Sequence, residues 1–386
     1  MRDLLLVGAR HRRTPDSPDS LTQRHAGLQF GALVYSTALN FSGGTKVDIV
    51  NAKPLLAVAG ASGLVGSNIV KAALARGYRV NGTLRDHTAP TKAPYLQALP
   101  GGAERLNLFS AEMGDSEAFD VATAGADAVF IACLIPVYAG PSGKPAREMD
   151  DEQGYAEIIT PTVEGCLNIM RSAARNNVKN VVICSSTSST NPIPSVPFKN
   201  EVDHWSDEHE QCRAKKYTSA TKTVMEKAAM AFAEEHGMRL NIILPTGMYG
   251  PVVLPEHMNG NPHVWLRRVL KGGEPRHTKT PNDSSSLSHL EDLASLFMAV
   301  YENPAAEGRY FGVYDSWHWQ DIYAELKRIL PDMPMPEPID GEPAKPTGFD
   351  FTRRDSLGVK MRDIPTTLRD TVEWLKTEPF ADVLDD

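Results

Sequence analysis

The residues most able to do chemistry open with Gly60-Ala61-Ser62-Gly63-Leu64-Val65-Gly66, a glycine triplet at three-residue spacing. A glycine at position 60 permits a tight turn, Gly63 lets main chain approach a diphosphate, and Gly66 lets the following helix lie close to its strand. The N–H groups of Ser62, Leu64 and Val65 and the positive end of the helix then face the phosphates. About twenty residues on, Thr83-Leu84-Arg85-Asp86 ends a second apolar stretch, with Lys92 shortly after. There an arginine fork suits the 2′-phosphate of NADP, whereas a carboxylate binds the free ribose hydroxyls of NAD. Arg85 comes first and favours NADP; the other reading is a solvated arginine with Asp86 as ribose ligand.

The elements that must position these groups are legible around them. Residues 55–59 form a short continuous apolar run, the pattern of a strand buried on both faces. The helical pattern of 65–75 ends at Arg76-Gly77, a basic last turn and glycine stop, and 78–84 read as the second strand. Further strands are expected at 105–109, 127–132, 180–185 and 239–244, with helices at 116–122, 157–176 and 218–236. Strands alternating with helices predict an α/β fold, a Rossmann-type doubly wound parallel sheet with right-handed crossovers. Ligands of such sheets bind beyond the carboxyl ends of the strands, which places chemistry just after Ala132, Ser185 and Leu244. From about residue 251 Pro and Gly become denser, and helices at 264–271, 290–301, 317–329 and 366–376 suggest a smaller, interwoven C-terminal lobe carrying substrate determinants. The boundaries so read are 1–53 for an N-terminal extension, 54–250 for the nucleotide-binding domain and 251–386 for the lobe.

Composition narrows the classes. The chain has 386 residues, is 41% hydrophobic and carries a formal charge of −8, an ordinary globular balance. Through Lys53 there are seven basic and four acidic residues, which leaves the remainder eleven charges negative. Such a chain is a poor binder of phosphate backbones, so no nucleic-acid partner is expected. No apolar run approaches the ~20 residues of a membrane helix. Cys133, Cys166, Cys184 and Cys212 lack any paired spacing and the histidines form no helical ligand pair, so neither a disulfide framework nor a metal site is expected. These features suit a cytoplasmic protein, monomeric or homodimeric. Residues 1–53 are Arg- and Ser-rich and poor in acid, which fits either an organelle-targeting peptide or a disordered extension.

Several stretches together resemble the extended short-chain dehydrogenase/reductases, especially the dihydroflavonol reductase and cinnamoyl-CoA reductase group. They are the glycine motif, Leu84-Arg85-Asp86, Val129-Phe130-Ile131-Ala132 followed by Pro136, Pro161-Thr162-Val163-Glu164-Gly165, Val182-Ile183-Cys184-Ser185-Ser186, Trp205-Ser206-Asp207, Lys222-Thr223 and Pro245-Thr246-Gly247-Met248-Tyr249-Gly250-Pro251. The resemblance implies NADPH-dependent reduction of a small-molecule ketone or aldehyde. It also implies Glu112 and Met113 at the adenine, and Ala132, Pro245 and Met248 along the cofactor. Ser186, with Ser185 as fallback, would orient the carbonyl, and Lys222 would bind the nicotinamide ribose and lower the pKa of a proton-donating tyrosine. The related epimerases and dehydratases share this scaffold.

At the tyrosine the sequence departs. The family sets Tyr four residues before Lys, on one helix face, but Thr218 holds that position and Tyr217 stands five before Lys222. Five residues rotate about 140° on a regular helix. Tyr217 therefore reaches the site only from before the first full turn or beside a π-bulge. Otherwise another group donates the proton, or the protein binds NADP without this catalysis.

Overall fold

The computed structural model describes residues 53–384, so the expectation for the N-terminal extension lies outside the described residues. The first strand, β1 (Leu55–Ala59), is buried almost throughout, as its unbroken apolar run requires. It feeds α1 (Leu64–Ala75), then β2 (Arg79–Leu84), β3 (Leu106–Ser110) and β4 (Ala128–Ile131). Next come α2 (Thr160–Arg175), β5 (Asn180–Cys184), α3 (Tyr217–Glu235) and β6 (Arg239–Pro245). A short β7 (Met248–Tyr249) leads to α4 (His263–Leu270), β8 (Ser284–His289) and α5 (Leu290–Glu302). The chain ends in β9 (Gly308–Gly312), β10 (Asp315–His318), α6 (Trp319–Ile329) and α7 (Ile364–Lys376).

Seven strands in the order β9-β6-β5-β4-β1-β2-β3 form one parallel sheet, the doubly wound architecture expected. Strand order reverses between β1 and β4, which pair directly, and a crevice at such a switch point is where a dinucleotide lies. Helices cover both faces. On one side Val129, Ile131, Val181, Ile183 and Leu244 pack with Ile169, Met170 and Ala229; on the other Leu56, Val58, Val182 and Ile243 pack with Ile69, Ala73 and Phe297.

The seventh strand was not expected. Gly308-Arg309-Tyr310-Phe311-Gly312 comes from deep in the C-terminal region and pairs with β6, while α5 packs on α1. The region after residue 250 therefore returns to the main sheet. What remains apart is a three-stranded sheet, β10-β8-β7, packed with α4, α6 and α7 around Trp265, Leu266, Ile322, Leu326, Leu368 and Val372.

The glycine turn joins strand to helix with almost no room. Gly60 has φ +83°, a conformation that favours glycine. A Cβ on Gly66 would stand 2.0 Å from the Gly60 carbonyl oxygen, so only hydrogen fits there. We expect Gly66→Ala to push α1 off β1, costing roughly 2 kcal/mol or more of stability and weakening dinucleotide binding; a thermal melt and a cofactor titration check both.

Candidate active site

Three loops meet at the carboxyl ends of β1, β4 and β5. The first is the glycine turn, whose helix α1 begins after Gly63 with no side chain capping it, so its leading N–H groups remain donors for an anion. A Cβ on Gly63 would meet Gly60 O at 3.3 Å and Ala132 O at 3.5 Å, which leaves open the side from which a diphosphate would approach. This bare cradle fits a dinucleotide. Val65 is buried beneath it. Ser62 sits at its turn, where its carbonyl accepts a hydrogen bond from His257 Nε2 at 3.0 Å.

At the end of β2, Arg85 is exposed and its guanidinium forms no hydrogen bond or ion pair with the described residues. It is thus free for a phosphate. Asp86 instead accepts from the N–H and hydroxyl of Thr88, and those bonds hold its carboxyl below the usual carboxylate range. Lys92 does not stand beside Arg85 as a second free cation, because it pairs with Glu256 at 3.0 Å. Glu112 is exposed after β3, and Met113 packs where a Cβ on Gly165 would come within 2.9 Å. Ala132 follows β4, Pro245 ends β6, and Met248 lies half-buried between the main core and the lobe.

Lys222 and the serines come together. Lys222 is 5% exposed on α3, and its ammonium donates to the carbonyl of Leu134, just past β4. Burial pushes its pKa down. Ser186 follows β5 and its Oγ accepts from Ser188 N at 3.2 Å, capping a short 3-10 turn. Ser185 is turned inward, donating to Glu226 Oε1.

Tyr217 is not brought to them. It is the first residue of α3, and α3 continues as a regular α-helix. Its ring is fully buried against Gly154, where a Cβ would stand 2.5 Å from the ring. Its hydroxyl donates to Asp151 Oδ1 at 2.7 Å and accepts from Lys215 Nζ at 3.1 Å. Burial and the Asp151 carboxylate raise its pKa, the opposite of what an acid working near neutrality needs. The π-helical turn that would have re-aimed it exists, but at Tyr155–Ile159, ahead of α2. Thr218, on the Lys222 face, donates its hydroxyl to Val137 O at 2.6 Å.

Sequence reasoning missed Arg309. From the seventh strand its Nε reaches Glu226 Oε2 at 2.8 Å, with both side chains nearly inaccessible. Its other nitrogens donate to Ser189 O and Oγ, Glu201 O and His204 O, and its plane lies 3.6 Å from the Trp205 ring. Burial pushes the Glu226 carboxyl up, and Arg309 works against that rise. The signal was a lone arginine inside the strand-like Gly-Arg-Tyr-Phe-Gly, which cannot be buried without a partner.

The fold is a doubly wound α/β sheet with a bare glycine turn after β1, Ser186 just past β5, and Lys222 of α3 tied to the segment past β4. A profile of the NAD dependent epimerase/dehydratase family matches residues 56–313, and the chain belongs to that family. It is 30% identical over 335 residues to cinnamoyl-CoA reductase CAD2 of Medicago truncatula, covering 85% of this chain and 98% of that protein. It is also 30% identical over 320 residues to dihydroflavonol 4-reductase of Zea mays, covering 80% and 84%. Its fold matches yeast methylglyoxal/isovaleraldehyde reductase Gre2 complexed with NADPH, with TM-score 0.68 at 21% identity over 84% of this chain and 99% of that one. Among the described residues no helix is long and apolar enough to cross a membrane, and no group of side chains is placed to hold a metal ion.

Breaking the Glu226–Arg309 pair strands a buried charge. We expect Arg309→Met to cost about 3–5 kcal/mol, read as a lowered denaturant midpoint.

Proposed function

We propose that the protein is an NADPH-dependent reductase of a small-molecule ketone or aldehyde. The observation that carries this reading is the convergence of Lys222, Ser186 and the uncapped glycine cradle at the carboxyl edge of one sheet. NADPH, when bound, supplies hydride to the carbonyl carbon. Gly60, Ser62, Gly63, Leu64, Val65 and Gly66 would hold its diphosphate, Arg85 its 2′-phosphate, Glu112 and Met113 would flank the adenine, and Ala132, Pro245 and Met248 would line the nicotinamide end.

The chain's own residues then divide the remaining work. Ser186 Oγ donates to the carbonyl oxygen and polarises it. The Lys222 ammonium would stand where negative charge develops on that oxygen, with Glu226 nearby opposing the loss of its proton that burial favours, and in a buried site such an interaction is stronger than in water. Its bond to Leu134 O fixes the ammonium without using all three of its protons. The capped 3-10 turn behind Ser186 sets the serine rotamer, so little reorganisation is left for the reaction.

The test mixes purified protein with NADPH and a panel of aldehydes and ketones, methylglyoxal and isovaleraldehyde included, and follows nicotinamide absorbance. Turnover on at least one carbonyl is expected. Cofactor binding without turnover on any of them removes the reductase reading in favour of a binding role. Arg85→Ala tests the cofactor assignment separately. Loss of one charged contact to phosphate is worth roughly 1.5–3 kcal/mol, so the preference for NADPH over NADH should fall about 10–100-fold, and an unchanged ratio would refute the role of Arg85.

A further inference from the structure

We infer that Tyr138, on the loop after β4, supplies the proton that a tyrosine at position 218 would otherwise give. This rests on the reductase reading and identifies the acid it requires.

The problem to be solved is local. A carbonyl being reduced needs a proton from a group held beside Lys222, and the helix offers only Thr218 one turn before it. An aliphatic hydroxyl is a far weaker acid than a phenol, and this one is already engaged, donating to Val137 O at 2.6 Å. Tyr217 is committed elsewhere, buried and bonded to Asp151. Ser186 has the same weakness as Thr218.

The loop after β4 meets the need. Thr218 and Lys222 stand on one face of α3 and both grip this loop, Lys222 at the carbonyl of Leu134 and Thr218 at that of Val137. The residue that follows the second gripped carbonyl is Tyr138. Its main chain is fixed, because Tyr138 O accepts from Ala146 N at 2.8 Å and Ala139 forms an antiparallel bridge with Pro145. A turn at Gly140–Gly143 closes this small hairpin, and Glu157 secures it by accepting from Ser142 N and Oγ at 3.1 and 2.6 Å. The side chain is different. Tyr138 is 71% exposed, and its phenol makes no hydrogen bond among the described residues. A tyrosine whose main chain adjoins the carbonyl held by Thr218, with an exposed and uncommitted hydroxyl, is free to turn toward a substrate on that face of α3. The threonine thereby acts as a strut, its short side chain tying the loop to α3 immediately before Tyr138.

The step balances. A C–H bond forms at the carbonyl carbon with the two electrons of the hydride, and the C=O π pair moves onto oxygen. The Tyr138 O–H bond breaks as that oxygen takes its proton, with the Lys222 cation beside the resulting phenolate. The cofactor is left oxidised, and the exposed phenolate regains a proton from solvent.

The experiment uses whichever carbonyl in the panel the wild-type protein reduces fastest. It measures kcat together with NADPH affinity from nicotinamide fluorescence for Tyr138→Phe, Thr218→Tyr and the double variant. General acids contribute about 10²–10⁴-fold, so Tyr138→Phe should lower kcat about 100-fold or more while NADPH affinity stays within about twofold. Adding Thr218→Tyr to Tyr138→Phe should restore most of the loss, because the missing group is a phenol on the Lys222 face. Full kcat in Tyr138→Phe overturns the assignment and leaves the reductase reading standing. If the wild-type protein reduces nothing but Thr218→Tyr does, the phenol was missing all along and Tyr138 is excluded. If neither turns over while both bind NADPH, the reductase reading fails and takes this inference with it.

Discussion

The buried pair of Glu226 and Arg309 is the interaction around which the active edge is organised. Two charges removed from water are costly, and they persist only when each finds further partners. Arg309 finds them in carbonyls of residues 189, 201 and 204 and in the face of Trp205, while Glu226 finds the Ser185 hydroxyl. One guanidinium therefore fastens the last strand of the sheet, the helix bearing Lys222 and the loop that follows Ser186. Satisfying a single buried charge does the work of aligning three segments distant in sequence.

Against that frame, the loop after β4 is held by quite different forces. It is exposed at Ile135 and Tyr138 but buries Leu134 in the core and packs Val137 against it. Between those anchors, its carbonyls at Leu134 and Val137 accept hydrogen bonds from two side chains of α3. The two halves of the crevice thus differ in kind: the β5 side is set by a buried ion pair, and the β4 side by hydrogen bonds to main-chain carbonyls beneath a tip that faces solvent. Segments of the second kind open at lower free energy than segments of the first, which suits the side through which a substrate enters.

How much of this was legible in the sequence follows from how local each cause is. The glycine turn and the alternation of strands and helices rest on sterics and burial acting within a few residues, and both were readable. So was the position of Lys222, through its neighbours on the same helix. The fate of Tyr217 was not, because it depends on Gly154 offering its ring a place to pack and on Asp151 waiting at the end of it, more than sixty residues upstream. The strand at 308–312 escaped for a related reason: it is short, holds an arginine, and becomes a strand only because β6 has a free edge and Glu226 a free oxygen. Lys92 is a milder instance, its charge being claimed by Glu256 of the lobe rather than left for a phosphate.

The anchoring of Lys222 to a main-chain carbonyl has a consequence for how such a site can change over time. A lysine held only by a neighbouring phenol would lose its place the moment that phenol was replaced, and two changes would have to arrive together. Tied to the backbone beyond β4, the ammonium stays put whatever occupies the position one turn earlier. The adjoining residue is then free to drift, and an enzyme can pass its acid from helix to loop one substitution at a time without an intermediate whose cation is adrift.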